Sequence, residues 1–305
     1  MRVLVTGGGG FAGRHLVRLL ANRGHVPVVS DNSLSAEVEG AADSIPADLR
    51  DPSAVDSMVA RAKAESCVHL GAVSYVPAGS GDPTLMFGVN VLGTLNVLEA
   101  FRRRSADARI LVVSSARVYK IPGDDHALTE DEMLEPSSTY GASKAAADLM
   151  ALGYARSYDM QVMTVRPNNH TGPGQSPSFV TASLAAQVAA APKGSSVEIE
   201  TGNLESERHF LDVRDVVRAY LLLLEKGRAG EAYNLSSRKR VKIGGLLGML
   251  GGLAGVKPLP RADSDRQRPT DRSPNLNVEK LVNDTGWSAE IEFEQTLNGM
   301  LGALQ

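Results

Sequence analysis

Cysteine is nearly missing from this chain: Cys67 is the single one in 305 residues. That excludes an internal disulfide framework and a multi-cysteine metal site, and it fits a reducing compartment. Charge of one sign is missing too. The 32 Lys and Arg against 35 Asp and Glu leave a net charge of -3, mixed in sign along most of the sequence, which argues against the basic face of a nucleic-acid or membrane-surface protein. No apolar run approaches the roughly 20 residues of a membrane helix, and the opening MRVLVTGGGG enters a strand at once where a signal peptide would have an apolar region. The expectation is a cytoplasmic protein with neither nucleic acid nor membrane as partner. Repeats and low-complexity tracts are lacking as well; the Gly-rich stretch Ile243 to Gly255 keeps Leu and Met at helical spacing and reads as a closely packed helix. What is present is enough chain for one large α/β unit, or for two lobes sharing a cleft.

Short runs rich in Val, Ile and Leu alternate with longer helical patterns. Strands are predicted at Val3 to Val5, Val26 to Ser30, Cys67 to Leu70, Ile110 to Ser114 and Gln161 to Val165, and helices at Gly13 to Arg23, Val89 to Arg103 and Tyr140 to Tyr158. This alternation is the mark of βαβ units around a buried parallel sheet. From Arg166 to Gly174 the chain is dense in Pro, Gly and Asn, and the regular winding stops. Beyond lie predicted helices at Phe179 to Ala191, Val213 to Glu225, Val278 to Asn283 and Glu292 to Leu304, with strands near Val197 to Glu200 and Glu231 to Leu235. The expected fold is α/β: a doubly wound parallel sheet over 1–166, and over 167–305 a smaller mixed α/β C-terminal substrate-binding lobe from which 211–240 returns to the first unit. Such a lobe would cover the carboxyl ends of the strands, where open α/β sheets place ligands.

The first strand runs into Gly7-Gly8-Gly9-Gly10-Phe11-Ala12-Gly13, which satisfies both GxGxxG and GxxGxxG, and a helix follows directly. Glycine permits the tight turn and lets the backbone approach a pyrophosphate whose charge sits on the helix N-terminus. A Gly-rich loop alone is a weak signal; here a strand precedes it, a helix follows, and a second strand ends in an acid, Asp31. That is a Rossmann dinucleotide site. Asp31, with Asn32 beside it, would accept from the adenosine ribose hydroxyls. No Arg or Lys stands between Asp31 and Glu39 to receive a 2′-phosphate, so NAD is favoured and NADP is the alternative. Asp48 and Leu49 would flank the adenine, and Leu70, Gly71 and Ala72 the pyrophosphate; Val113, at the end of its strand, joins the cofactor set with Tyr140 and Lys144.

Tyr140 and Lys144 stand four apart at the start of a predicted helix, so both side chains reach into one space. A free tyrosine has a pKa of about 10 and needs nearby positive charge before its phenolate forms at neutral pH. Lys144 and an oxidised nicotinamide are the expected sources. In the reducing direction the same phenol delivers a proton as hydride reaches the carbonyl carbon. Ser115, just beyond Ile110 to Ser114, can orient the reacting oxygen, although a serine there also reads as a strand-terminal cap.

TGGGGFAG, the SSARVY segment containing Ser115, and Tyr140-Gly141-Ala142-Ser143-Lys144 together resemble the extended short-chain dehydrogenase/reductases that modify nucleotide sugars, over nearly the whole chain. Within that group, Arg166-Pro167-Asn168-Asn169-His170-Thr171-Gly172-Pro173-Gly174-Gln175, Arg208-His209-Phe210-Leu211-Asp212-Val213-Arg214-Asp215 and Arg268-Pro269-Thr270-Asp271 look most like GDP-sugar enzymes. The pattern is most similar to GDP-6-deoxy-4-keto-mannose reductases, which make GDP-rhamnose, and next to GDP-mannose 4,6-dehydratases. A 4,6-dehydratase must take a proton from C5 and expel water from C6, and in that group a Glu lies two residues after the hydroxyl residue. Here Ala116 and Arg117 follow Ser115, so that turn offers no carboxylate. The resemblance therefore implies hydride transfer at C4, as a net NAD(P)H-dependent reduction to GDP-rhamnose or its C4 epimer, with an NAD-dependent 4-epimerase second. A cofactor-binding regulator is the reading from outside enzymology, disfavoured by the intact Ser115, Tyr140 and Lys144.

For the GDP-sugar, the resemblance implies Asn169 at the phosphate-proximal sugar, and Ser178, Phe179 and Val180 around the base. Arg208 and Arg268 would bind the diphosphate, since a guanidinium fork matches phosphate oxygens, and Asp271 the substrate ribose. Ser74 and Tyr75 would neighbour the hexose. Arg117 and Lys120 depart from the reductase pattern and read equally as substrate contacts or as a solvated rim. No set of His, Cys and carboxylates has metal-ligand spacing, and no metal is expected. A homodimer through a four-helix bundle is implied, with Leu92, Leu95, Leu98, Leu149 and Leu152 as candidate seam; burial within one chain is the competing reading of those leucines.

Overall fold

The computed structural model describes residues 1–32, 37–74, 82–264 and 272–304. The first part of the chain forms β1 (Arg2–Thr6), α1 (Phe11–Asn22), β2 (Val26–Ser30), β3 (Asp43–Ser44), α2 (Pro52–Ala62), β4 (Ser66–His69), α3 (Pro83–Phe87), α4 (Gly93–Arg104), β5 (Arg109–Val113), α5 (Thr139–Tyr158) and β6 (Val162–Pro167). The second part forms β7 (Asn169–Thr171), α6 (Val180–Ala189), β8 (Ser196–Thr201), β9 (Glu207–Asp212), α7 (Val213–Lys226), β10 (Ala232–Leu235), β11 (Arg240–Lys242), α8 (Ile243–Ala254), β12 (Lys257–Ala262), α9 (Glu279–Thr285) and α10 (Phe293–Gly302).

Seven strands make one sheet in the order β10-β6-β5-β4-β1-β2-β3, every pair parallel. The β1 strand pairs with β2 on one side and β4 on the other, so the chain reverses its winding there, and the crevice opens at the carboxyl ends of these two inner strands. Successive β1 residues serve opposite faces: Val3 and Val5 pack with α1 and α7, while Leu4 packs with α2, α4 and α5. A strand buried on both sides must be apolar throughout, which is why RVLVT does not alternate.

The N-terminus of α2 explains itself from sequence: Asp51 accepts from the amides of Ser53 and Ala54, and Pro52 fills the first turn, where its missing N–H costs nothing. Neither α2 nor β3 is among the elements the apolar pattern suggests. In the second part, β11-β9-β7 and β12-β8 form two small sheets. Of these strands only β8 was expected. The Pro- and Asn-rich segment after β6 contains β7, and β9, β11 and β12 stand on short or exposed runs whose partners lie far off in sequence. A third cluster, with Leu184, Phe210, Leu246 and Leu297, binds α6, α8 and α10 to these strands, and in it Gly251 packs so tightly on Pro258 that a Cβ would come within 2.5 Å of the proline ring.

Two expectations change here. The continuous helical stretch Pro83–Arg104 is long and apolar enough to cross a membrane by length and composition, although no such run was anticipated; Val97, Leu98 and Phe101 on it are fully buried against the sheet. Leu98 and Leu152 are likewise core residues of the single chain, whereas Leu92 and Leu149 are 56% and 58% exposed.

Candidate active site

Backbone geometry fixes the floor of the crevice. Gly7 has φ +67°, and a Cβ there would lie 2.8 Å from the Gly71 amide nitrogen. A Cβ on Gly13 would fall 2.4 Å from the Gly7 carbonyl oxygen. Both positions therefore demand glycine: one for its left-handed backbone, the other for the close approach of α1 to the loop. The Asp31 carboxylate is held by two amides, Gly9 N–H at 3.2 Å and Asn32 N–H at 2.9 Å, which tie the end of β2 to the glycine loop. Asp48 accepts from Arg50, and that guanidinium holds its carboxyl below the usual carboxylate range.

The catalytic side is built by β5 and α5. Ser138 caps α5 by accepting from the Gly141 amide at 3.1 Å. A Cβ on Gly141 would meet the Arg117 carbonyl at 2.4 Å, so the turn carrying Ser115 and Arg117 can rest directly on the first turn of α5. Ser115 caps that turn, its hydroxyl accepting from the Arg117 amide at 3.2 Å. The cap and the reacting-oxygen readings thus fall on one hydroxyl, and the same hydroxyl acts to lower the pKa of the Tyr140 phenol. Burial raises the Tyr140 pKa, and the Ser115 bond and the Arg117 charge oppose that rise.

Lys144 is engaged by the backbone. Its Nζ donates to the Val113 carbonyl at 2.7 Å, and burial drives its pKa down to about 8, against the pull of Asp148 one turn further on. The cation that bears on the Tyr140 phenol is Arg117. Asp148 is itself fully buried and paired with Arg166 at 2.9 Å.

Asn90 was not anticipated. It sits in a single π-helical turn, Gly88–Leu92, of the kind that often marks functional sites. Its side chain accepts from the Val73 amide at 2.8 Å and donates to the Ser143 hydroxyl at 2.9 Å, and Ser143 donates to the Tyr140 carbonyl at 2.8 Å. The catalytic helix is thereby pinned to the loop after β4. Behind it His69 lies between the Thr6 and Thr94 hydroxyls at 2.6 and 3.0 Å, and burial holds it neutral, its pKa down to about 3.

The glycine loop, Asp31, Asp48, Ser115, Arg117, Tyr140 and Lys144 face one cleft of about 790 Å³. Every residue expected at the cofactor, from Gly7 to Lys144, lines it, as do Ser74, Ser115, Arg117, Asn169, Val180 and Arg208. Ser178 does not; its hydroxyl pairs with Ser176, which does. Lys120 is a rim residue bound to Glu135 at 2.8 Å. Tyr75, Arg268 and Asp271 lie outside the described residues. Arg50, Asn168, His170, Gln175 and Tyr220 also line the cleft; Asn168, His170 and Gln175 belong to a segment the sequence reading quoted, whereas a tyrosine inside VVRAYLLLL carries no signal but that of core.

A dinucleotide fits these residues. Three buried side-chain atoms among the described residues have no hydrogen-bond partner in the protein, and two of them, Ser30 Oγ and Tyr220 Oη, belong to residues that line the cleft. Ser30 stands beside Asp31 at the end of β2, and Tyr220 packs with Val113 at the end of β5, on the catalytic side.

Comparison with known proteins agrees. The family model described as GDP-mannose 4,6 dehydratase matches residues 4–300. GDP-6-deoxy-D-mannose reductase of Pseudomonas aeruginosa is 34% identical over 98% of this chain and 96% of its own. The NAD complex of UDP-glucose 4-epimerase from Thermus thermophilus superposes with a TM-score of 0.86 at 29% identity, covering 100% of this chain and 99% of that one. RMD from P. aeruginosa, complexed with NADPH, gives 0.82 at 31%, covering 99% and 98%. Fold and site together define a dinucleotide-dependent enzyme of the extended short-chain dehydrogenase/reductase class. Within that class the chain belongs to the GDP-mannose 4,6-dehydratase family.

Proposed function

We propose that the protein reduces the C4 keto group of a GDP-6-deoxy-4-keto-hexose with NAD(P)H, giving GDP-rhamnose or its C4 epimer. The observation that carries this reading is the placement of carboxylates. Among the described cleft-lining residues only Asp31 and Asp48 are acids, and both stand at the β2 and β3 side, far across the sheet from Ser115 in the turn after β5. Proton removal at C5 and loss of water at C6 need an acid/base pair beside the hexose. The turn after Ser115 carries Ala116 and Arg117 instead.

Gly7, Gly10, Gly13, Asp31 and Lys144 would hold the cofactor, which when bound supplies the hydride for C4. Tyr140 then gives its phenolic proton to the C4 oxygen, so that the C=O bond becomes C–OH. Burial keeps that phenol protonated at neutral pH, the form a proton donor needs. Ser115 orients the oxygen through its hydroxyl. Arg208 and Asn169 on the second part of the chain would take the diphosphate and the adjoining sugar.

The test mixes the purified protein with the 4-keto product of a GDP-mannose 4,6-dehydratase and follows reduced-cofactor absorbance. Consumption well above that of Tyr140→Phe is expected; equal traces would overturn the reading. A 4-epimerase is the second reading, favoured by the likeness to the T. thermophilus enzyme with NAD; cofactor that co-purifies, and turnover without added NADH, would select it.

A homodimer goes with this reading. Leu92 and Leu149 are exposed leucines on the adjacent helical stretch Pro83–Arg104 and α5, flanked by the exposed Leu85, Phe87 and Tyr158, and a second copy related by a two-fold axis would cover them in a four-helix bundle. The buried thiol of Cys67 suits a cytoplasmic setting.

A further inference from the structure

Among the described residues that line the cleft, Tyr220 carries a buried hydroxyl that neither capping nor packing explains. It stands on α7, is 0% exposed, and sits in the apolar cluster with Val113, Val165 and Leu235 beneath the ends of β5, β6 and β10. Packing accounts for its ring. Its hydroxyl, however, is buried with no partner in the protein, while the residue lines the cleft. A phenylalanine would pack the same way without burying an unpaired hydroxyl, so the oxygen is a cost in the protein alone.

We infer that the Tyr220 hydroxyl is a binding group for the nicotinamide half of the dinucleotide, and that its partner is the carboxamide on the ring that carries the hydride. The inference rests on the cofactor reading above. Tyr220 comes from the α1 and α7 face of the sheet, opposite the α5 face that delivers Tyr140 and Lys144. Val113, Val165 and Leu235, with which it packs, belong to β5, β6 and β10, on the side of the sheet away from β2 and Asp31, so the residue meets the cleft at its reacting end. A ligand lying along the strand ends, with its phosphates over the glycine loop, brings its far ring over this floor before any sugar is seated above it. A planar amide offers both a donor and an acceptor to one hydroxyl, so a single tyrosine can fix how the ring is turned.

The experiment is calorimetric titration of wild type and Tyr220→Phe with NADH and with ADP-ribose, which lacks the nicotinamide, together with the apoprotein melting temperature. The expected result is NADH binding weakened about tenfold, ADP-ribose unchanged within about twofold, and a Tm that rises by about 2 °C because a buried unpaired hydroxyl is gone. Unchanged NADH affinity, an equal loss for both ligands, or a lower apoprotein Tm would each overturn the inference. Wild type that binds neither ligand would instead overturn the cofactor reading.

Discussion

The two sides of the cleft are built on different principles. The cofactor side is made of backbone: a left-handed Gly7, a Gly13 pressed to 2.4 Å of a carbonyl, and an Asp31 carboxylate clamped by two amides. The opposite side, proposed for the substrate, presents side chains on short strands, such as Arg208 on β9 and Asn169 on β7, beside a core of their own. Backbone geometry tolerates few sequences and so serves one ligand across many relatives. Side chains on short strands are easily exchanged, so one fold can present different groups to different ligands there.

The largest effect expected from breaking this arrangement is at Tyr140. Tyr140→Phe should lower kcat by about 10² to 10⁴ and leave the Kd for NADH unchanged, because it removes proton transfer and no part of the cofactor floor. Steady-state rates with a matched binding titration check this. Gly13→Ala inverts the pattern: the clash with Gly7 should weaken cofactor binding by about a hundredfold or more, read by the same titration.

Arg117→Met comes next and sharpens the division of labour between cations. Its charge opposes the burial that raises the Tyr140 pKa, so its loss should raise that pKa further. In the oxidising direction, which needs the phenolate, the alkaline rise in rate should move to higher pH, with about tenfold less activity at pH 7. In the reducing direction, which needs the phenol, activity should persist to higher pH than in wild type. An unshifted profile would return the role to Lys144.

Lys144 gives a smaller effect with a definite sign. Its pKa falls from its ordinary value to about 8 on folding, so between about 8 and that value the unfolded chain binds the proton and the folded protein does not. Stability from this group therefore rises with pH across that window, and below it the buried charge is a constant penalty. Lys144→Met should raise the Tm at pH 7, with the gain shrinking above pH 8, as a pH series of melting curves would record. The smallest effect on chemistry should be that of Leu92→Asp with Leu149→Asp. Both side chains are exposed in the single chain, so the pair should halve the mass in solution with little loss of fold.

How much of this was legible follows the same division. The inner parallel strands are mostly apolar because both faces are buried, and the helix starting at Tyr140 and the glycine loop both stand out from sequence. Local chemistry also made Asp51 and Pro52 available as a helix start, yet the weakly apolar α2 behind them passed unnoticed. What sequence could not carry was long-range: β9 pairs with β7 and with β11, segments far apart in the chain, and β12 with β8. In the site, the YxxxK spacing puts Tyr140 and Lys144 at the start of one helix, but spacing does not reveal that the Lys144 ammonium donates to the Val113 carbonyl or that the Arg117 charge bears on the phenol. Asn90 and Tyr220 were missed for one reason: each lies in an apolar helical run, where a polar side chain gains meaning only from what it faces.

Under the proposed function, hydride moves at C4 and C5 is left untouched. The most direct measurement is the isotopic content of the product formed from GDP-6-deoxy-4-keto-mannose in deuterated water with protiated NADH, read by mass spectrometry and proton resonance. The account predicts protium at C4, delivered from the nucleotide, and no solvent deuterium at C5 above the enzyme-free rate. Deuterium entering C5 at the rate of turnover would contradict it, since that exchange requires the carboxylate chemistry that the turn of Ala116 and Arg117 does not provide.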